Sequence, residues 1–289
     1  MFGECHAHIF MDGIDYKRAA AVYQSGIDRA DVRRKLKTYQ KLGVTFYRDG
    51  GDHYGASEYA RNIAPEYGIT YRTPIYAIHK NRHYGEIVGR GFDTMREYHQ
   101  LVLGVKAHKG DFIKVMFSGI MDFGTDGHVT GTPLERDEIR EMIHIAHEEG
   151  YAVMAHVNGA RTIQAALEAG VDSVEHGNFM DEECQQAFRE SSAVWVPTLV
   201  TVRNLAGSGR FSESVIARLK EQQNENIRRG YALGLSIALG SDAGAYRVLH
   251  GQGIEDEYQA FHEILGDDPQ LDRRLEDAEK IIRERFHSE

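Results

Sequence analysis

Residues 137–176 read DEIREMIHIAHEEGYAVMAHVNGARTIQAALEAGVDSVEH, and this stretch decides the fold. An amphipathic helical pattern over 137–149 stops at Gly150, a short apolar run follows over 151–156, a second helical pattern over 160–169 stops at Gly170, and a second apolar run covers 171–176. Glycine is the residue expected just past a helix terminus, and short runs rich in β-branched or aromatic residues are expected to be strands. The stretch is therefore two consecutive strand–helix units. Outward from it the same alternation recurs, with predicted strands at 3–9, 44–49, 69–77, 112–117, 193–199 and 235–242 and helical patterns at 31–41 and 214–233. Gly43 and Gly234 again precede strands. Single strands alternating with single helices build a parallel sheet, and eight units favour a closed barrel over an open doubly wound sheet. No Gly-rich phosphate-binding loop opens the first unit, which weighs against the open sheet. The expected architecture is α/β, a single (β/α)8 TIM-type barrel spanning 1–289. A charged helical segment at about 268–289 closes it, and no linker or composition break divides it.

The composition limits the partners. Of 289 residues, 42% are hydrophobic and 27% charged, enough apolar surface for a large core. A formal net charge of -10 opposes attraction to nucleic acid phosphates or anionic lipid, so a small-molecule substrate is expected, with no nucleic acid and no membrane partner. Only Cys5 and Cys184 are present, and no export signal opens the chain, so the expected compartment is the cytoplasm. Assembly into a homo-oligomer is left open.

The chemistry sits at predicted strand ends. His6 and His8 are two apart on the first strand, so both face one side near its C-terminal end and could share a metal. His156 ends the fifth strand in Val153-Met-Ala-His-Val-Asn158, His176 ends the sixth in Val174-Glu-His-Gly177, and Asp242 ends the last in Leu239-Gly-Ser-Asp-Ala-Gly244. Active sites of this fold are built at that end. Lys114 lies among apolar neighbours in Asp111-Phe-Ile-Lys-Val-Met-Phe117, where a buried ammonium needs compensation. It could reach solvent or pair with Asp122, but beside four histidines and an aspartate a metal-site role is preferred. A neutral lysine amine can add carbon dioxide, giving a carbamate able to bridge two cations.

In its order of HxH on strand one, Lys on four, His on five, His on six and Asp on eight, the chain resembles the amidohydrolase superfamily. The segments Val44-Thr-Phe-Tyr-Arg-Asp-Gly-Gly51, Phe112-Ile-Lys-Val-Met-Phe-Ser-Gly119 and Gly240-Ser-Asp-Ala-Gly244 look like its imidazolonepropionase-like and prolidase-like branch. The resemblance implies two divalent metals, usually zinc, bridged by a carboxylated Lys114. Two departures stand out. The branch usually carries a β-sandwich segment around the barrel, whereas here strand one starts almost at Met1, so a barrel without that accessory domain is expected. The family's Asp before HxH is Glu4 here.

From this follows a binuclear hydrolase of amide-type bonds in a dipeptide, N-acyl amino acid or cyclic amide, with lactones as a variant. Two metals activate a hydroxide and polarise the scissile carbonyl. His6, His8 and Asp242 are assigned to one metal, His156 and His176 to the other and Lys114 to both, with Asp242 also moving the proton. Substrate contacts are expected from His79, Arg82, His83 and Tyr84 after strand three, His128 after strand four, Arg203 after strand seven and His250 in loop eight. As a group they would form a cationic or hydrogen-bonding rim for an acidic substrate end. Arg48-Asp49 is read as a structural pair at the barrel mouth. The competing readings are a one-metal deaminase or decarboxylase with free Lys114, and a non-catalytic ligand-binding barrel.

Overall fold

The computed structural model describes residues 2–125 and 127–288. Its strands are β1 (Glu4–Ala7), β2 (Phe46–Asp49), β3 (Thr70–Arg72), β4 (Ala77–Lys80), β5 (Gly89–Phe92), β6 (Ile113–Met116), β7 (Val153–Val157), β8 (Ser173–His176) and β9 (Val194–Val196). They form two sheets, β1-β2-β3 and β5-β4-β6-β7-β8-β9, with every pairing parallel. This is an α/β fold of parallel strands, consistent with a TIM-type barrel.

Three places depart from the predicted strands. The third run is split between β3 and β4: Pro74 has no N–H to give a ladder, and Ile75 takes a left-handed φ of 70°. β5 was not anticipated; it pairs outside β4 from residues 89–92. The run at 235–242 is not a regular strand, yet it bonds to neighbours on both sides. Ala238 N–H donates to Trp195 O at 2.9 Å, Cys5 N–H to Leu239 O at 3.1 Å and His8 N–H to Ala243 O at 2.8 Å. The segment therefore lies between β9 and β1.

The helical patterns appear as Arg29–Lys41, Arg136–Glu148, Ala160–Glu168 and Glu213–Ala232, each burying one side, which in the first and last includes polar residues such as Lys35 and Asn226. In Arg136–Glu148 that side is Ile139, Met142, Ile143 and Ala146, the i, i+3, i+4, i+7 spacing of a helix packed on a sheet. The last helix, Leu271–Arg285, behaves differently. Its Ala278 and Ile282, with Phe286 just beyond, join Phe46, Phe112, Met154, Val196 and Ala238 in one buried cluster. Phe286 meets Phe112 edge-on at 5.4 Å, and the Gly3 N–H donates to the Glu279 carboxylate at 2.7 Å. Gly3 and Phe112 precede their strands, so this helix closes the end where the strands begin. Burying a phenylalanine stabilises by about 1.5–3 kcal/mol, which makes Phe286 a substantial anchor. Among the described residues no helix is long and apolar enough to cross a membrane.

Candidate metal centre

The opposite strand ends carry the histidines. In β1 the pairing advances three residues, Glu4 to Ala7, against two in β2, Tyr47 to Asp49. Such a bulge re-aims side chains. Simple alternation would put Glu4 on the face of His6 and His8; instead its carboxylate accepts from Ser241 N–H at 2.8 Å and Ser241 Oγ–H at 2.6 Å, while Cys5 packs with Phe46 and Phe112. His6 and His8 are left facing Asp242, whose Oδ1 is 3.6 Å from His6 Nε2 and 3.5 Å from His8 Nε2. One potential ligand atom from each of these three residues lies within 4.8 Å of the others. His8 fits only because position 50 is glycine: a Cβ there would stand 2.2 Å from His8 Cε1.

The other two imidazoles adjoin this group. The His6 and His176 rings are 5.1 Å apart and the His156 and His176 rings 4.6 Å apart, centroid to centroid. His176 Nδ1 lies 2.7 Å from Thr198 Oγ1, and Trp195 Nε1–H donates to His176 O at 2.9 Å. His156 Nε2 lies 3.0 Å from Gly119 O. His176 and Asp242 have left-handed φ values of 65° and 59°. L-residues adopt that region sparingly, and such strain gathers at functional sites.

Burial first, and the Lys114 ammonium next, hold His8 and His156 down to about 3. The same two causes push His6 well below its usual range, and burial first of all does so for His176, where any charge on His156 or His6 would lower it further. All four are therefore neutral at physiological pH, the form that binds metal. Burial also pulls Lys114 down to about 8 against the attraction of Glu175 and Asp242, and lifts Asp242 to about 7 against the attraction of Lys114. Lys114 Nζ, His6 Nδ1 and His8 Nδ1 are buried without a hydrogen-bond partner. Buried polar atoms are rarely left so, and an unpartnered amine among imidazoles and a carboxylate fits a site built for divalent cations, toward which His6 and His8 turn Nε2 rather than Nδ1.

The remaining predicted residues are placed less uniformly. Tyr84 reaches the cluster, its ring 4.8 Å from that of His156. His79 Nδ1 lies 3.0 Å from Lys80 O, and His83 Nδ1 2.8 Å from Thr132 O. Arg82 is exposed, 3.7 Å from Asp93. His128 is exposed on the loop tied by the Met121–Val129 bridge. Arg203 donates to Glu263 at 2.8 Å and to Asn224 at 2.6 Å, so its charge is neutralised within the protein. His250 lies 2.8 Å from Met11 O and 3.3 Å from the Tyr39 hydroxyl.

Two residues around the site were not singled out from the sequence. Glu175 Oε2 is 2.8 Å from His6 Nδ1, though not aligned for a hydrogen bond, and its other oxygen accepts from Arg48 at 2.9 Å. Glu257 accepts from the N–H groups of Leu199 and Val200 at 3.0 and 2.9 Å, fixing the turn that carries Thr198. A carboxylate directly beside His176 on a predicted strand was the available signal for Glu175.

The sequence profile of the Amidohydrolase family matches residues 4–266. An uncharacterized protein of Mycobacterium tuberculosis (strain ATCC 25618 / H37Rv) is 30% identical over 149 residues, 46% of this chain and 40% of that protein. Ochratoxinase of Aspergillus niger is 29% identical over 135 residues, 45% of this chain and 28% of the enzyme. The matches thus span 40% or less of the length of these curated relatives. Among solved structures, a Xaa-Pro dipeptidase with bound methionine superposes with a TM-score of 0.75 at 20% identity, over 98% of this chain and 75% of that one. The A. niger ochratoxinase structure gives 0.77 at 22% identity, over 95% and 69%.

Proposed function

Since the chain belongs to the amidohydrolase family, we propose that it is a metal-dependent hydrolase of amide-type bonds, in a dipeptide, an N-acyl amino acid or a cyclic amide. The observation that carries this reading is the convergence of four imidazoles and one carboxylate at the strand ends, with the unpartnered buried amine of Lys114 near enough to interact with the Asp242 charge. In this reading the strands close into one (β/α)8 barrel over 1–289. His6, His8 and Asp242 hold one cation, His156 and His176 a second, and Lys114 as its carbamate is shared by both. Zinc suits a set of nitrogen and carboxylate donors. When bound, the cations supply an activated water and a polarised scissile carbonyl.

The chain's own residues do the rest. Asp242 offers a carboxylate oxygen that can take a proton and return it to the leaving amine. Tyr84, whose ring is 4.8 Å from that of His156, is proposed as a substrate contact. His79, His83, His128, Arg203 and His250 remain proposed as rim contacts, with Arg203 and His250 requiring release from their partners. Among the described residues, the exposed Tyr84, Ile120 and Leu249 lie four to six residues past the C-terminal ends of β4, β6 and the strand-like segment 235–243. Apolar acyl groups therefore belong in any substrate series.

Zinc-loaded protein should carry two metals per chain and hydrolyse members of a dipeptide, N-acyl amino acid, hydantoin and lactone panel. One metal with no hydrolysis would refute the binuclear reading. One observation favours a one-metal alternative, a deaminase or decarboxylase with free Lys114: among the described residues, only His6, His8 and Asp242 have ligand atoms all within 4.8 Å.

A further inference from the structure

We infer that Glu175 and Arg48 are positioning residues for His6, and that Phe286 at the end of the last helix is the third member of the same support. The inference rests on the metal-centre reading above.

Arg48 is the largest side chain that is fully buried, and each of its three guanidinium nitrogens donates a hydrogen bond. Nε–H donates to Cys5 O at 2.7 Å, one terminal nitrogen to Ser173 Oγ at 2.9 Å and the other to Glu175 Oε1 at 2.9 Å. Its flat face lies 4.4 Å from the Phe286 ring centroid and 6.0 Å from that of Phe112. Glu175, also fully buried, then presents Oε2 at 2.8 Å from His6 Nδ1, while His6 Nε2 faces Asp242.

Stability alone does not explain this pair. Two charges taken out of water recover little more than they lose, and apolar residues of similar volume often serve a core as well or better. What the pair supplies, and an apolar pair would not, is a carboxylate oxygen fixed beside one ring nitrogen of His6. A carboxylate there favours the Nδ1–H tautomer and leaves the Nε2 lone pair directed at the site. The other histidines are served differently: His176 has a hydroxyl at Nδ1, and His8 Nδ1 has no hydrogen-bond partner. The guanidinium fixes the carboxylate, and the aromatic ring of the last helix flanks the guanidinium. A line of support thus runs through the barrel interior, from the end where the strands begin to the end where the metal ligands sit.

The test compares zinc affinity, by competition with a chromophoric chelator, in wild type, Glu175→Gln, the double variant Arg48→Met with Glu175→Gln, and Phe286→Leu. Glu175→Gln alone leaves a buried guanidinium unpaired and can fail to fold; the double variant removes both charges and keeps the comparison alive. Zinc affinity in the folded double variant is expected to fall about 10- to 100-fold, as for loss of other groups that orient a ligand, with a smaller loss in Phe286→Leu. A purely structural pair would change the melting temperature and leave the zinc affinity of the folded protein within twofold of wild type, and that result overturns the inference. Wild type that binds no zinc would instead remove the metal-centre reading itself, and this inference with it.

Discussion

Replacing Lys114 with Met should make the metal-free protein more stable and the enzyme inactive. The side chain is 1% exposed and its amine has no hydrogen-bond partner. Burial lowers it from 10.5 to about 8 even with Glu175 and Asp242 attracting the charge. At about 1.4 kcal/mol per pH unit, that difference is a penalty of roughly 3 kcal/mol for keeping the ammonium in the native state. The native chain releases this proton at lower pH than the unfolded chain does. The penalty is therefore complete below pH 8 and fades as pH rises toward 10.5. Methionine has a similar reach, adapts to irregular space and carries no charge. Metal-free Lys114→Met should accordingly gain up to about 3 kcal/mol at pH 7 and lose most of that advantage by pH 10. Urea melts at the two pH values measure it, and metal analysis with an activity assay on zinc-loaded protein measures the cost. Both activity and the second metal should be lost. A variant that is less stable at pH 7, yet keeps two metals and near wild-type turnover, would show that the amine is a structural ion-pair partner and the reasoning is wrong.

Three further outcomes follow from the same geometry. Gly50→Ala drives a methyl into the His8 ring, so it should weaken zinc binding by about tenfold or more and cost about 1–3 kcal/mol; unchanged affinity in a chelator competition would contradict the packing. His6→Ala combined with His8→Ala should abolish most metal uptake while leaving the circular dichroism near native, because the apolar core lies elsewhere; full metal occupancy would remove both residues from the site. Burial raises Glu257 to about 8, above its ordinary 4.5, so the folded chain retains a proton that the unfolded chain has lost. The stability of wild type relative to Glu257→Gln should therefore fall as pH rises from 5 to 8, by at most about 1.4 kcal/mol per pH unit, and a difference that is flat with pH would argue against a protonated Glu257.

Much of the fold was legible because periodicity is local. The stretch 137–176 gives helix Arg136–Glu148, β7, helix Ala160–Glu168 and β8 within about two residues of the reading, since each apolar spacing and each closing glycine is visible in a short window. The convergence of His6, His8, His176 and Asp242 was legible for the same reason: strand ends in a parallel sheet meet. What escaped depends on distant partners or on backbone detail. Arg48 reads as a pair with its neighbour Asp49, yet its carboxylate partner is Glu175, 127 residues away. The bulge in β1, which turns Glu4 away from the histidines, is a matter of register with β2 and leaves no mark in residues 4–8. β5 is only four residues, two of them glycine, and has no apolar alternation to announce it.

The left-handed backbone at His176 and Asp242 bears on how these positions could change over evolutionary time. At most ligand positions, a copy of the chain released from selection for turnover would drift freely. At 242 the conformation itself restricts the choice, because glycine, asparagine and aspartate occupy that region at low cost while alanine and β-branched residues pay roughly 1–2 kcal/mol. A decayed relative should therefore carry Asn or Gly at 242 far more often than Ala or Val, whereas position 8, on ordinary backbone, should scatter among residue types small enough for the space beside Gly50. An Asn or Gly at 242 then marks lost chemistry on an intact scaffold. The same asymmetry guides redesign toward another metal: exchange of donor types begins at position 8, and position 242 is left as the backbone wants it.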